Sequence, residues 1–263
     1  MIHYFQRNLV NSANDYPLIV FALSFLGLLF SAWIGRSLSK RLPMEAETHE
    51  DFKVIQAATL TLFGLIIGFS FSMASGRYDQ RKHCEAVEAN AIGAEYVRAE
   101  LLPAADAAQV RELLLNYLDQ RVLFYETRDE QQLLRINAQT AKLQVELWSA
   151  VRTPSVAQPQ PIAALAVAGM NDVLNSQGYT QAAWWNRIPR AAWAMMAVIA
   201  IFSNIMVGFG ARRHKTGSIL LSVLPFIAAI TFLLIADIDC PGGGLIRVIP
   251  QNLLSLSQFL HVQ

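Results

Sequence analysis

The chain has 263 residues, of which 54% are hydrophobic and 16% charged, and its formal net charge is +1. This composition is too apolar for a typical soluble domain of this length, and the balanced charge gives no general attraction for nucleic acid. We therefore expect a protein whose partners include the lipid bilayer and no nucleic acid.

Four apolar stretches come in two pairs, Leu18–Ile34 with Val54–Ala74 and Ala191–Phe209 with Ser218–Ala236. Each has about 17 to 21 residues and almost no charge, which is long enough to cross the hydrocarbon core of a bilayer as a helix. The alternation of polar and apolar residues that is typical of strands occurs nowhere. The predicted fold is all-α, an integral membrane protein with four transmembrane helices.

The polar sequence between the two pairs predicts a helical domain inserted between the second and third transmembrane helices. Residues 1–76 hold an N-terminal tail and helices 1 and 2. Residues 77–188 form the extramembrane helical domain, continuous with helix 2, and residues 189–263 hold helices 3 and 4 with a C-terminal tail.

The charges leave open which side of the membrane this domain faces. The two short loops on the opposite face carry seven basic residues: Arg36, Lys40, Arg41, Lys53, Arg212, Arg213 and Lys215. The positive-inside rule makes such loops cytoplasmic and places the domain outside the cytoplasm. Five basic residues flank the membrane on the domain's own face and weaken this assignment: Arg77, Arg81, Lys82, Arg187 and Arg190.

The second apolar stretch lacks a stop signal at the edge of the membrane. No proline occurs from Val54 to about Leu102, and Gly76 is an isolated glycine. The sequence therefore predicts one continuous helix that leaves the bilayer near Arg77 and projects about 40 Å beyond it, at 1.5 Å per residue. The Leu102-Pro103 dipeptide ends this helix, because proline disfavours a helical conformation in the residue before it.

Within the inserted domain, apolar residues recur at helical spacing over Asp106–Thr127, Asp129–Val151 and Ile162–Asn175. We expect the proline-rich segment that begins at Thr153-Pro154 to separate the last two helices, and Gly178 to end the third.

Small and weakly polar residues recur along the second transmembrane helix at intervals of three to four: Thr61, Gly64, Gly68, Ser72 and Gly76. Such a stripe allows close packing of helices within one subunit. Alternatively, copies of this helix surround a symmetry axis and line a pore, because bulky side chains on every side would block one. Leu65, Phe69 and Phe71 would then form an apolar constriction that gates by dewetting.

Charged residues cluster where the second and fourth transmembrane helices reach the same face of the bilayer. An ionisable group near hydrocarbon needs a partner. We expect Arg77 or Arg81 to contact Asp237 or Asp239 and so to join the two helices. The alternative is a ring of charge at the mouth of a pore.

Further along the projecting helix, Arg81, Glu85, Glu88, Ile92 and Glu95 fall on one face. Three carboxylates on one face could bind a cation, but a face exposed to solvent or to a neighbouring subunit is the favoured interpretation.

Signals of catalysis are absent from the sequence. The five histidines are scattered without ligand spacing, and neither a phosphate-binding glycine loop nor a serine nucleophile elbow occurs. We expect no enzyme activity, no cofactor and no metal site. Cys84 and Cys240 cannot make a disulfide framework. They are either two thiols or, on an oxidising face, one bridge.

Two blocks of sequence carry a resemblance to a known family. The first lies within Gly64–Pro103 and contains the runs RYDQR from Arg77, EANAIG from Glu88 and YVRAELLP from Tyr96. The second is the ADID run from Ala236 that precedes a proline and a GLIRV run. The chain resembles a family of bacterial membrane proteins of unknown function called bestrophin-like.

The resemblance implies kinship to bestrophins, pentameric anion channels with four crossings and a large helical domain between the second and third. In them the second crossing lines the pore and the domain is cytoplasmic, which disagrees with the charge pattern of the loops. The expected protein is a homo-oligomeric ion channel of a bacterial inner (plasma) membrane, with five subunits, inorganic ions as permeant partners and anion preference by analogy. The alternative is a non-conducting sensor or scaffold whose helical domain binds a protein or lipid partner.

Overall fold

A computed structural model describes residues 16–41, 46–157, 161–211 and 217–262, and the regular elements within these ranges are all helical. They are α1 (Pro17–Arg41), α2 (Ala46–Arg98), a 3-10 helix (Ala99–Leu101), α3 (Ala104–Glu126), α4 (Glu130–Ala157), α5 (Ala163–Trp185), α6 (Arg190–Gly210), α7 (Gly217–Asp239) and α8 (Gln251–Val262). The predicted tail up to residue 15 and the loop residues Arg212, Arg213 and Lys215 lie outside the described ranges.

Among the described residues, four candidate spans are long and apolar enough to cross a membrane: Pro17–Arg41, Glu50–Leu101, Ala163–Gly210, which combines α5 and α6, and Ile219–Asp239. The second and third have 52 and 48 residues, more than twice the roughly 20 that a bilayer core needs. Only their apolar parts, residues 54–74 and 191–209, suit hydrocarbon. The predicted fold class, an all-α membrane protein with four transmembrane helices and an inserted helical domain, is confirmed.

Helix α2 is unbroken from Ala46 to Arg98, as its lack of proline predicts. Its helical path continues through Gly76 without interruption. The 3-10 helix then closes it, and Leu102 is extended, with φ −91° and ψ 162°, as expected for a residue before proline.

Two predicted helix ends differ from the structure. The proline-rich segment does separate α4, which ends at Ala157, from α5, which begins at Ala163, but α4 ends later than predicted, and the helix end predicted at Gly178 is wrong. Helix α4 continues through Pro154 to Ala157, because a proline this close to the helix end removes one hydrogen bond and leaves the preceding turns intact. Helix α5 continues through Gly178 to Trp185. A glycine inside a helix costs about 1 kcal/mol relative to alanine, and the burial of Val173, Thr180 and Ala183 on either side offsets that cost.

The chain divides into two compact units. The membrane unit comprises Met1–Arg77 and Arg187–Arg247, and the helical unit comprises Tyr78–Asn186 and Val248–Gln263. The helical unit therefore includes the C-terminal helix α8, which the sequence grouped with the tail of the last two transmembrane helices.

In the membrane unit, α1 packs against α6 and α7. The backbones of α1 and α6 meet at two glycines: a Cβ atom at Gly35 would overlap the carbonyl oxygen of Ile205, and one at Gly208 would overlap that of Ala32. Small residues let transmembrane helices approach this closely, and the close approach maximises van der Waals contact.

In the helical unit, α3, α4, α5 and α8 enclose a hydrophobic core together with the last turns of α2. Helix α4 packs between α3 and α5, and α8 packs on α3. The fully buried side chains of this core include Ile92, Leu114, Leu118, Leu147, Met170 and Leu253. On α3, Leu114 and Leu118 are one helical turn apart, which places them on the same buried face.

Candidate functional site

The small residues of the predicted stripe all lie on an exposed face of α2. Thr61, Gly64, Gly68, Ser72 and Gly76 are each exposed. A Cβ atom added at any of the three glycines would meet no described neighbour within 4 Å. Packing of this stripe inside one subunit therefore finds no partner among the described helices of the chain.

The opposite face of the same segment is packed. Phe63, Ser70 and Ala74 are buried, and successive helix residues are rotated by about 100°. This rotation places the three buried residues about half a turn from Thr61 and Ser72. The transmembrane part of α2 thus has one face that packs against the rest of the protomer and one open face, the stripe of small residues, that the described part of the protomer does not cover.

The residues predicted to form a constriction border the open face. Leu65, Phe69 and Phe71 are all exposed. Helical rotation places Leu65 and Phe69 on one side of the stripe of small residues and Phe71 on the other. The open face is consequently a shallow groove with apolar, partly aromatic edges.

The structure brings together one of the predicted charge pairs at the end of the transmembrane helices. Arg77 Nη1 lies 3.9 Å from Asp239 Oδ1, and both side chains are mostly buried. The Asp239 carboxylate also accepts the backbone N–H of Ile188 through Oδ1 at 3.0 Å and Oδ2 at 3.1 Å. One carboxylate therefore joins the end of α7, the segment before α6 and the arginine of α2.

Asp237 makes a different set of hydrogen bonds within the membrane unit. Its Oδ1 accepts the N–H of Leu245 and its Oδ2 that of Ile246, each at 2.7 Å. A Cβ atom at Gly244 would approach the Asp237 carbonyl oxygen to 2.5 Å, so the turn requires glycine there. Asp237 fixes the turn after α7, a role that the sequence did not predict.

Arg81 belongs to the helical unit, where it is 1% exposed. Its Nε donates to the carbonyl oxygen of Ala183 at 3.4 Å.

The face of α2 that carries Glu85, Glu88 and Glu95 is an interior surface of the helical unit. All three carboxylates are at most 1% exposed. The expectation that this face meets solvent or a neighbouring subunit is therefore wrong. The prediction that these residues share one face of α2 agrees with the structure, but the partners that cover this face lie on α3, α5 and α8, far along the chain.

Glu88 forms a buried ion pair. Arg121 donates through Nε and Nη2 to the two carboxylate oxygens, and the Thr180 hydroxyl donates to Oε2 at 3.1 Å. Burial by itself lowers the pKa of the Arg121 guanidinium, but the charge and hydrogen bond of Glu88, together with Tyr117 and Tyr125, outweigh burial and the pKa is raised. The guanidinium also stacks over the Phe124 ring, 4.4 Å from its centroid.

Glu85 caps the C-terminal helix α8. Its Oε1 accepts the backbone N–H groups of Asn252 and Leu253, both at 2.9 Å, and its Oε2 accepts the Asn252 side chain at 2.6 Å. The first N–H groups of a helix have no partner within it, and the helix dipole favours a negative charge there. Glu85 is the residue that attaches the start of α8 to α2.

The two cysteines, Cys84 and Cys240, are both buried and carry reduced thiols. In the part of the chain that the structure describes, no three histidine, cysteine or acidic side chains group as a metal site would require.

The chain matches a family model described as a Bestrophin-like domain over residues 22–253. It is also similar to the crystal structure of a bacterial Bestrophin homolog from Klebsiella pneumoniae, with a TM-score of 0.63 and 14% sequence identity over 92% of this chain and 98% of that chain. A variant of the same homolog with one mutation gives a TM-score of 0.65 and 13% identity, over 93% and 99% of the two chains.

No protein with a curated description matches the chain. At the identities found for the solved structures, the likeness is one of fold. The family model, in contrast, covers most of the sequence, including most of the first apolar stretch, the other three in full and the charged residues at the ends of the second and fourth. The chain therefore belongs to the Bestrophin-like family.

Proposed function

We propose that the chain forms a homo-oligomeric ion channel whose pore is lined by the open face of α2. The observation that carries this proposal is the exposure of the small-residue stripe. Only 11% of the most apolar part of the second candidate span is buried within the protomer. The rest of its surface must therefore meet lipid, other copies of the chain or a water-filled axis.

The kinds of residue exposed on each helix support the axis over lipid. The exposed residues of α1 and α7 are bulky and apolar, for example Leu18, Leu26, Ile219 and Leu220, which suits contact with acyl chains. The exposed surface of α2 also carries bulky residues, but the centre of its open face is a stripe of glycine, serine and threonine. Such a face gives acyl chains little to contact, whereas around an axis it leaves space for passing ions.

The apolar edges of the groove supply a gate. In a ring of copies whose stripe faces the axis, Leu65 would project inward and Phe69 and Phe71 would flank the stripe, so that their apolar side chains could expel water from the narrowest part of the pore. Kinship to bestrophins supports five subunits, a preference for inorganic anions and a place in the bacterial inner membrane.

Flux through liposomes tests the proposal with a matched pair of variants. Gly68→Leu adds a bulky side chain to the open face of α2, and we expect it to abolish ion flux without loss of assembly. Gly27→Leu adds the same side chain to α1, at an exposed glycine that also has no described neighbour within 4 Å. We expect this control to conduct like the unmodified chain. Wild-type liposomes that stay silent under varied voltage, pH and salt would refute the proposal.

One observation favours a second function, that of a sensor or scaffold without conduction. An open groove of about 380 Å³ lies in the helical unit, between α2 and α8. The residues that line it are all uncharged: Ala89, Asn90, Gly93, Ala94, Asn252, Ser255, Leu256 and Phe259. Such a groove could hold a protein or lipid partner.

Labelling of Ser72→Cys from water separates the two functions, because both native cysteines are buried. Rapid labelling by a membrane-impermeant reagent supports a pore, and protection of this position supports the scaffold.

A further inference from the structure

Glu95 differs from the other two buried carboxylates of α2, because neither of its oxygens has a hydrogen-bond partner among the described residues. Glu85 accepts three hydrogen bonds, and Glu88 accepts three. Glu95 is 0% exposed, so bulk water does not reach it. A charged carboxylate in such a place is costly, and the group is expected to hold a proton instead.

The carboxyl group of Glu95 lies against the backbone of α5 at Gly169. A Cβ atom at Gly169 would overlap Oε2 of Glu95 and Nη1 of Arg98. The absence of a side chain at this position is therefore what lets the ends of both α2 side chains lie against α5. Any larger residue would push the acid or the guanidinium away.

Few charges face this acid. Arg98 on α2 and Asp172 on α5 are the two that act on it, and they lie 3.9 Å from each other. Glu100 and Arg111 pair with each other near the end of α2, and Arg111 Nε also donates to the Tyr96 carbonyl oxygen.

Glu95 lies about 20 residues beyond the apolar part of α2, outside the membrane-spanning segment. Burial raises its pKa to about 8, Arg98 opposes the rise and Asp172 adds to it.

We propose that Glu95 is a proton-binding site that controls the contact between α2 and α5 over Gly169. With the proton bound, the neutral acid fits against the glycine backbone and the contact is closed. When the proton leaves to solvent, the remaining carboxylate has no donor in place, and α5 separates locally from α2 so that water can solvate the charge.

The direction of the pH effect follows from linkage. The closed state binds the proton more tightly than an opened or unfolded chain, in which the carboxyl has its ordinary value near 4.5. The closed contact is therefore favoured at low pH, weakens as pH rises above about 4.5, and reaches its weakest level once pH passes about 8.

Hydrogen exchange of the full chain in detergent or nanodiscs tests this inference. Between pH 6.5 and 9, the opening constant of the α5 amides around Gly169, corrected for the intrinsic rate, should rise about 30-fold, because proton linkage contributes up to tenfold per pH unit below pH 8 and less above it. Glu95→Gln keeps the shape of the neutral acid and should remove this dependence. Glu112→Gln, at an exposed carboxylate of α3, should retain it. Equal pH dependence in the wild type and in Glu95→Gln would overturn the inference.

Infrared spectroscopy of the wild type gives a second measurement that needs no variant to fold. Ordinary carboxyl groups are ionised at pH 7, so a protonated-carboxyl band that disappears between pH 7 and 9 is expected from Glu95. The absence of any such band at pH 7 would also overturn the inference. Neither measurement depends on ion conduction.

Discussion

The two parts of helix α2 use their polar residues in opposite ways. In the membrane unit, Thr61 and Ser72 lie on the exposed face and Phe63 on the packed one. In the helical unit, Glu85 and Glu88 are buried and joined to residues of other helices. One helix therefore carries an open face of small residues in one unit and a packed face of charges in the other.

This difference indicates which part of the chain needs a contact from outside the protomer, such as lipid, water or another copy of the chain. Ionised groups that leave water need partners at once, and in the helical unit those partners come from the same chain. The stripe of small residues on α2 has no such partner among the described residues. Its exposure requires lipid, another copy or a water-filled axis beside it, and the conduction that we propose for this face depends on the axis.

Among the variants that test this difference between the two units, the largest loss of stability is expected from breaking the buried ion pair between Glu88 and Arg121. Arg121→Met leaves the Glu88 carboxylate buried without its cation, which typically costs about 3 to 5 kcal/mol. We expect the free energy of unfolding, measured by denaturant titration in mixed micelles, to fall by this amount. The double variant Glu88→Gln with Arg121→Met removes both charges and should recover most of the loss. An Arg121→Met variant as stable as the wild type would show that the pair is dispensable.

A smaller loss of stability is expected in the membrane unit, where a glycine packed against another helix can be compared with an exposed one. Gly208→Ala places a methyl group on the carbonyl oxygen of Ala32, so α1 and α6 must move apart, at a cost of about 1 to 3 kcal/mol. Gly64→Ala meets no described neighbour and gains about 1 kcal/mol of helix propensity. The thermal midpoint in detergent should fall for the first variant only. A similar loss for Gly64→Ala would mean that its face is packed within the protomer.

Much of the fold could be predicted from the sequence, because its signals are local. The apolar runs match the length of a bilayer crossing, and the absence of proline between Pro43 and Pro103 predicted the length of α2. Pro154 and Gly178 misled the prediction of helix ends, since a proline in the last turn leaves the helix before it intact and tertiary packing overrides a single glycine.

The burial of the α2 carboxylates could not be predicted, because their partners are distant in sequence. Arg121 is 33 residues from Glu88, and Asn252 is 167 residues from Glu85. Helical spacing shows that such residues share a face but not what covers it. The one available signal was Ile92, an apolar residue in the middle of the charged face, which is typical of a buried stripe.

The smallest effect is expected at the cap of α8, where the two ends of one helix can be compared. Glu85→Ala removes an acceptor from two backbone N–H groups at the start of α8; losing such a cap costs about 0.5 to 2 kcal/mol. Asp119→Ala removes half-exposed contacts to Ser257 and His261 near the other end, where exposed pairs contribute about 1 kcal/mol or less. Limited proteolysis after α7 should therefore release α8 faster from Glu85→Ala than from Asp119→Ala. The opposite order would mean that α8 is held by its C-terminal contacts. The hydrogen bonds to Glu85 would then stabilise the buried carboxylate without holding α8 in place.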